Sequence, residues 1–234
     1  MQHSVTRLVI VRHGETAWNR ETRIQGQMDI GLNERGRWQA ARTGEALRDE
    51  GIQAVYSSDL LRAADTARAI AETSGAPLSF DEGLRERHFG RFQGLTHDEI
   101  ATQWPEEARR WRGRDPDYGP EGGEVLKDFY QRSIEAAVRL ARRHPDQTIA
   151  LVAHGGVLDC FYRAATHVGL TTPRTWQIAN AGINRLFMSS EGFGLVGWAD
   201  VHHLEDAPAL DEVTDGSVAA SVPLVSTPSF SPAR

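Results

Sequence analysis

The sequence predicts an α/β fold, a three-layer α/β/α sandwich with a mostly parallel central sheet and helices on both faces. Short apolar runs alternate along the chain with longer amphipathic segments, which indicates strands and helices in turn. Two apolar runs, residues 8–11 and 151–153, are followed by a His-Gly pair that contains His13 or His154. Because ligands of open α/β sheets bind beyond the carboxyl ends of the strands, both histidines are expected at one sheet edge.

The first half of the chain predicts two helices and two further strands. After the first strand comes a polar, glycine-punctuated loop, which is expected to spread over the site. Asn33 is the expected N-cap of an amphipathic helix that stops at Gly51. Residues 52–56 form the next predicted strand, and Asp59 is the expected cap of the helix after it. Residues 77–80 form a short strand.

The second half continues the alternation. A long amphipathic helix is predicted over residues 125–144, where Pro145 ends it. Residues 148–153 form the strand that leads to the second histidine, and residues 157–168 form a helix. Two closing strands, residues 185–189 and 193–199, are typical of a hairpin.

The length of 234 residues fits one large domain. We assign residues 1–205 to this domain. Within it, residues 96–124 combine tryptophans with Arg, Pro and Gly, which favours short helical pieces forming a cap that sets specificity. Residues 206–234 are rich in Ala, Pro, Ser and Val with little periodicity, and we interpret them as a flexible C-terminal tail.

Composition narrows the classes of function. A net charge of −6 gives no reason to expect nucleic-acid binding. No apolar run approaches the roughly 20 residues of a membrane helix, and no signal peptide is recognised. The single cysteine, Cys160, rules out an internal disulfide and is interpreted as a core residue. We expect a cytoplasmic protein without membrane contact; a homodimer is compatible with the sequence, which does not define the oligomeric state.

Several polar residues lie where strands or loops meet the predicted site. Arg12 follows the first strand, and its planar fork suits phosphate or carboxylate oxygens. His13 beside it is a nucleophile, an acid/base or a hydrogen-bond donor. Arg62 lies in the first turn of a helix, where the helix dipole disfavours a cation without an anionic partner; a solvated side chain is the alternative. Gln25 and Gly26 offer an amide and a close backbone approach, or form a surface turn.

Glu86 is the candidate carboxylate. It lies in the string LRERHFGRFQG, between Arg85 and Arg87, so a surface ion pair is the alternative. The sequence contains no cluster with zinc-like spacing, no P-loop and no dinucleotide glycine motif. We therefore expect no metal and no cofactor.

These strings resemble the histidine phosphatase superfamily, the phosphoglycerate-mutase-like proteins, and specifically its phosphatase branch. The resemblance rests on RHGETAWN, on SSDLLRAADTA and on the pattern Leu-x-Glu-x-x-Phe-Gly-x-x-x-Gly. Gln93 departs from the Glu that the family often has there, a change not expected to affect the chemistry.

The resemblance implies a metal-independent phosphomonoesterase for a small phosphorylated metabolite. His13 would be the nucleophile that forms a phosphohistidine, and Glu86, with a raised pKa, the proton donor and acceptor. The remaining implied residues bind phosphate or line its pocket: Arg12, Asn19, Gln25, Gly26, Arg62, a protonated His154 and the Gly155 backbone.

Two alternatives stay open. A 2,3-bisphosphoglycerate-dependent phosphoglycerate mutase is favoured by the string ERHFG, but Gly-Gly-Val after His154 and the short segment 86–154 favour the phosphatase. A non-catalytic phospho-ligand-binding protein would require a lost catalytic residue, and every expected one is present. The cap segment contains four arginines, which either meet a second acidic group of the substrate, such as a carboxylate, or form a solvated face. The solvated face is favoured for these residues: Arg109, Arg110, Arg112 and Arg114.

Overall fold

The computed structural model describes residues 4–205, so the expected tail at 206–234 lies outside the described residues. Six strands form one sheet in the order β3-β2-β4-β1-β5-β6. The strands are β1 (Thr6–Arg12), β2 (Ile52–Ser57), β3 (Leu78–Phe80), β4 (Thr148–Ala153), β5 (Ile183–Ser189) and β6 (Gly192–Asp200). β1 pairs with β4, β4 with β2 and β2 with β3, all in parallel. β5 and β6 form an antiparallel hairpin, in which β5 pairs antiparallel with β1.

Helices cover both faces of this sheet. They are α1 (Ala17–Arg20), α2 (Glu34–Ala46), α3 (Leu61–Ser74), α4 (His97–Gln103), α5 (Pro105–Arg112), α6 (Leu126–Ala141) and α7 (Gly155–Thr166). Leu8 and Ile10 of β1 pack in a cluster with α6 and α7. Val9 and Val11 pack in a second cluster that contains residues of α3. Because neighbouring strand residues point to opposite faces, this alternation builds the predicted three layers, and the predicted fold class is confirmed.

The register of the two central strands sets the position of the site. β1 and β4 run in parallel with Arg12 paired to Ala153. Both strands are buried along almost their whole length, so this register is strongly specified. The two chain segments that follow therefore leave the sheet side by side, and the backbone N–H of His13 donates to the carbonyl of Ala153 at 3.0 Å.

Two local predictions differ from the structure. Asp59 does not cap α3: the N-cap position is Leu60, without a side-chain cap. The Asp59 carboxylate instead accepts two hydrogen bonds from Arg85, at 2.7 and 2.5 Å, because an ion pair was within reach that the local sequence does not show. α7 begins at Gly155 rather than 157, which places two glycine amides in its first turn.

The segment 96–124 has a small core of its own. α4 and α5 pack with residues of two neighbouring loops in an aromatic-rich cluster that includes Ile24, Phe89, Phe92, Ile100 and Trp111. Thr96 begins α4 with a capping box to Glu99. The expected short helical pieces are therefore present, and they are attached to the loop that carries Glu86.

Cys160 is buried in the core cluster, as expected. Within residues 4–205, no helix is both long enough and apolar enough to span a bilayer.

A backbone contact between the loop after β1 and the start of α2 leads to a prediction. A Cβ built on Gly36 would lie 2.0 Å from the carbonyl oxygen of Glu15. We expect Gly36→Ala to lower the free energy of unfolding by about 2 kcal/mol. Overpacking against a backbone atom lies at the upper end of its usual cost, about 3 kcal/mol, and the helix-propensity gain offsets about 1 kcal/mol. Urea denaturation measures the change.

Gly31→Ala is the matched control, because nothing lies within 4 Å of a Cβ built there. We expect its stability to stay within about 0.5 kcal/mol of the parent. Equal stabilities for the two variants would contradict the backbone contact.

Candidate active site

His13 and His154 meet at the carboxyl edge of the sheet, as predicted. Their ring centroids lie 5.2 Å apart with the planes tilted by 55°, and both side chains are buried. The register of β1 against β4 brings them together, although they are far apart in sequence. Two imidazoles therefore converge in one small, water-poor space.

The hydrogen bonds of His13 define its tautomer. Its Nδ1 lies 2.7 Å from the carbonyl oxygen of Gly14. Since a carbonyl only accepts, Nδ1 carries the proton, and Nε2 keeps its lone pair. Burial, then the charges of Arg62 and Arg12, lower the pKa of His13 well below its usual value. The ring is neutral near pH 7, the state that a nucleophile requires.

His154 is buried beside the same cations as His13. Burial lowers its pKa well below the usual value, and the charges of Arg62, His13 and Arg12 act in the same direction. The ring is therefore neutral in the ligand-free site, and the protonated form expected around a bound phosphoryl group stays a prediction. Neither ring nitrogen has a hydrogen-bond partner among residues 4–205, so the ring is available to a ligand. A bound dianion would oppose the effect of the two cations and favour the protonated form.

Arg12 is almost completely buried, at 1% exposure. Its Nη1 donates to the carbonyl of Ile178 at 2.7 Å. Its Nε and Nη2 have no partner within the part of the chain that the structure describes. A buried guanidinium with two unused donors is costly unless an anion completes it. The geometry supports the predicted contact of Arg12 with phosphate.

Arg62 anchors the loop over the site. Its Nη1 donates to the carbonyl of Met28 at 2.8 Å, and its Nη2 to that of Gly26 at 2.6 Å. Its charge adds to burial in lowering the pKa of both histidines, so the guanidinium lies near both rings. The solvated alternative is wrong, because the side chain is 1% exposed.

Asn19 and Gln25 approach the site from the loop after β1. The Asn19 side chain completes a capping box with Thr16 at the start of α1. Gln25 is buried; its Oε1 accepts from the hydroxyl of Thr16 at 3.0 Å. Its Nε2 has no partner in the described chain. The oxygen of this amide is fixed by Thr16, and its nitrogen can donate to a ligand.

Gly26 lies where a side chain could not fit. It has a φ of +53°, and a Cβ there would lie 2.2 Å from Oε1 of Gln93. The same oxygen accepts from the backbone N–H of Gln27 at 2.9 Å. Gln93, the departure from the family pattern, thus ties the loop over the site to the Glu86 segment.

Glu86 is buried rather than paired on the surface, so the ion-pair alternative is wrong. Its Oε1 accepts from the backbone N–H of Arg87 at 2.8 Å, and its Oε2 from that of Gly156 at 2.9 Å. Gly156 lies in the first turn of α7, two residues after His154. The carboxyl group is therefore held beside the histidine pair, and Gly155 lies between the two.

Three residues that hold the site were not found from the sequence. Asn180 donates to the backbone carbonyl of His13 at 2.9 Å. Arg132 donates to both carboxylate oxygens of Glu124, at 2.8 and 2.9 Å, and to the carbonyl of Glu86 at 3.3 Å. Asn180 and Glu124 lie in irregular segments, and Arg132 forms part of the ordinary amphipathic pattern of α6, so no sequence signal marks them.

The four arginines of the cap segment divide into two groups. Three are exposed and form the expected solvated face: Arg109, Arg110 and Arg112. Arg114 instead turns inward, where its Nη2 donates to the Asp159 carboxylate at 2.7 Å. Residues 4–205 contain no group of three or more His, Cys, Asp or Glu side chains arranged to hold a metal ion.

Comparison with known proteins agrees with this site. The model of the histidine phosphatase superfamily, branch 1, matches residues 8–201. The chain is 40% identical over 204 residues to phosphoglycerate mutase-like protein 4 of Arabidopsis thaliana, covering 85% of this chain and 87% of that protein. It is 37% identical over 219 residues to the metal-independent phosphoserine phosphatase of the same plant, covering 92% and 90%.

Solved structures give the same result. The native mycobacterial glucosyl-3-phosphoglycerate phosphatase superimposes with a TM-score of 0.76 and 34% identity, covering 84% of this chain and 100% of that one. The chain therefore has the fold of these phosphatases. It belongs to the histidine phosphatase superfamily, and it is an enzyme of the phosphatase type from which that family takes its name.

The lowered pKa of His13 leads to a prediction. In an NMR titration without phosphate, we expect His13 to titrate well below pH 6.5. His202 is the internal control, because its hydrogen bond from Nδ1 to Asp200 raises its pKa above 6.5. The unfolded chain binds the proton that folded His13 rejects, so the free energy of unfolding decreases as the pH falls below about 6.5. His13→Gln and His202→Gln assign the signals.

A His13 that titrates at or above the midpoint of His202 would contradict this electrostatic description of the site.

Proposed function

We propose that the chain hydrolyses a small phosphorylated metabolite through a phosphohistidine on His13, with Glu86 as proton donor and acceptor and without a metal ion. The observation that carries this proposal is the tautomer of His13. Its Nδ1 is held by the Gly14 carbonyl at 2.7 Å, which leaves the Nε2 lone pair facing a space bordered by buried donors. Phosphoryl transfer depends mainly on positioning and charge stabilisation, and the donors supply both.

The first step transfers the phosphoryl group to the enzyme. Nε2 of His13 attacks phosphorus, the bond from phosphorus to the ester oxygen breaks, and Glu86 gives its proton to that oxygen. Arg12, Arg62 and His154 stabilise the charge on the transferring oxygens. The Gln25 amide and the backbone N–H of Gly155 at the start of α7 add further donors.

The second step returns the enzyme to its starting state. The ionised Glu86 takes a proton from water, and the water oxygen attacks phosphorus while the bond from phosphorus to Nε2 breaks. His13 recovers its lone pair, Glu86 recovers its proton, and inorganic phosphate leaves. Both oxygens of Glu86 are oriented by backbone amides, which fixes the carboxyl group for both proton transfers.

The names of the relatives support hydrolysis over isomerisation. One relative is named a metal-independent phosphoserine phosphatase and a structural neighbour a glucosyl-3-phosphoglycerate phosphatase. The mutase alternative is also supported by names among the relatives, such as phosphoglycerate mutase-like protein 4. A non-catalytic binding protein is disfavoured, because residues suited to act as nucleophile, acid and phosphate ligands are all present. The cytoplasmic location and the homodimer stay predictions.

Rapid quenching with a labelled phosphomonoester tests the intermediate. We expect acid-labile, base-stable phosphate on the wild-type enzyme, and none on His13→Ala, whose turnover should fall by a factor of about 10³ or more. His202→Ala, on the exposed C-terminal segment, is the control and should label normally. Near-normal turnover by His13→Ala would exclude the mechanism, and product that forms only after priming by 2,3-bisphosphoglycerate would indicate the mutase.

The role of Glu86 is tested by the leaving group. In Glu86→Gln, kcat/KM for an alkyl phosphate should fall about 10²-fold or more, since the alkoxide needs a proton. For p-nitrophenyl phosphate, whose leaving group is stable as an anion, the fall should be much smaller. Equal losses for the two substrates would remove Glu86 from the role of general acid.

A further inference from the structure

A small cavity continues the site beyond Glu86. Its volume is about 40 Å³, and Gly156 lines it. The backbone N–H of Gly156 also donates to Glu86, so the cavity lies next to the carboxyl group that would protonate the ester oxygen of a substrate. One water occupies about 10–15 Å³ on this scale, so about three water-sized groups fit. The cavity therefore suits the short alcohol portion of a phosphomonoester.

The charge on the cavity wall favours an anion. The cavity is lined by three guanidinium groups, those of Arg87, Arg114 and Arg174, and by the carboxylate of Asp159. These four groups carry a net formal charge of plus two. Arg87 and Arg174 are both less than 10% exposed. Arg87 donates to the carbonyl oxygens of Tyr118 and Glu124, which are neutral acceptors. A carboxylate on the substrate would meet the guanidinium groups in a poorly solvated space, where such pairs are strongest.

Asp159 gives this wall a second chemistry. Its Oδ2 accepts from Arg114 Nη2 at 2.7 Å and from Arg163 Nε at 2.9 Å. Its Oδ1 is buried and has no hydrogen-bond partner anywhere in residues 4–205. A carboxylate oxygen can only accept, and a buried one without a donor is rare in folded proteins. Asp159 also lines the cavity, so a ligand there that brings a donor would complete this oxygen, and a cationic donor binds more strongly than a hydroxyl.

We propose that Asp159 is a specificity-determining residue, which selects an ammonium group on the substrate. In such a substrate, the carbon next to the one that bears the phosphate would carry two groups: a carboxylate directed toward Arg114 and Arg174, and an ammonium directed toward Oδ1 of Asp159. An O-phosphorylated α-amino acid of the size of serine has this arrangement. The inference rests on the proposed phosphatase activity, and it adds to it the class of substrate.

A panel of substrates on the wild-type enzyme is the first test. O-phosphoserine and 3-phosphoglycerate differ at the relevant carbon by ammonium against hydroxyl, and N-acetyl-O-phosphoserine keeps the carboxylate but loses the cation. Phosphoethanolamine keeps the ammonium but loses the carboxylate. We expect kcat/KM for O-phosphoserine to exceed that of each of the other three at least tenfold.

The second test changes the substrate preference by a single isosteric substitution. Asp159→Asn keeps the shape of the side chain but removes its charge, and we expect the ratio of kcat/KM for O-phosphoserine over 3-phosphoglycerate to fall at least tenfold. Asp65→Asn removes an acid from the exposed part of α3, where it pairs with Arg68, and should leave that ratio unchanged. If thermal melting shows that Asp159→Asn does not fold, the wild-type panel decides by itself.

The outcomes separate the two proposals. Hydrolysis of p-nitrophenyl phosphate together with equal or better use of 3-phosphoglycerate would overturn the role of Asp159 and leave the phosphatase standing. An unchanged ratio in a folded Asp159→Asn enzyme would also overturn it. Failure to hydrolyse any monoester, p-nitrophenyl phosphate included, would overturn the proposed function itself.

Discussion

The whole site depends on two guanidinium groups buried beside two imidazoles. Arg12 and Arg62 are 1% exposed, and burial together with their charges lowers the pKa of both histidines. Burying two cations together is unfavourable, because water is removed from both charges. A phosphoryl dianion would bring opposite charge to this space. Under the proposed function, the electrostatic field that keeps His13 neutral is therefore also the field that would bind the phosphoryl group.

The rest of the fold keeps these groups from moving apart. The parallel register of β1 and β4 places His13 beside His154. The carboxyl group of Glu86 is held from two directions, by its own loop and by the first turn of α7. Arg132 then joins α6 to that loop directly, by a hydrogen bond to the carbonyl of Glu86, and also pairs with Glu124. Rigid elements thus support each reacting group, and a displacement of one of them is resisted by covalently distant parts of the chain.

Sequence reasoning reached the elements that are governed by periodicity and missed those governed by long-range contacts. β4 was expected at residues 148–153 and is found there, because a fully buried strand with sharp polar ends has few alternatives. Asp59 was expected as a cap, but its partner Arg85 lies 26 residues away. Arg114 was grouped with its exposed neighbours; a left-handed backbone at φ 52° turns it inward, and nothing in the residue type reveals that conformation. Most residues of the site were found through local motifs, whereas Asn180 and Arg132 have none.

Gly156 has a double role with a consequence for evolution. Its amide aligns the proton-donating carboxyl, and a Cβ there would come within 2.3 Å of Glu86 Oε1 and 3.1 Å of the Phe129 ring. Gly156 thus contacts both the Glu86 carboxyl and the cavity, and this position has no room for a side chain. Under the proposed function, variation that alters which alcohol is accepted would therefore arise at other positions of the cavity wall, in the segment that carries Arg114 and in the loop that carries Arg174. Substrate choice would diverge there without disturbing the reacting atoms.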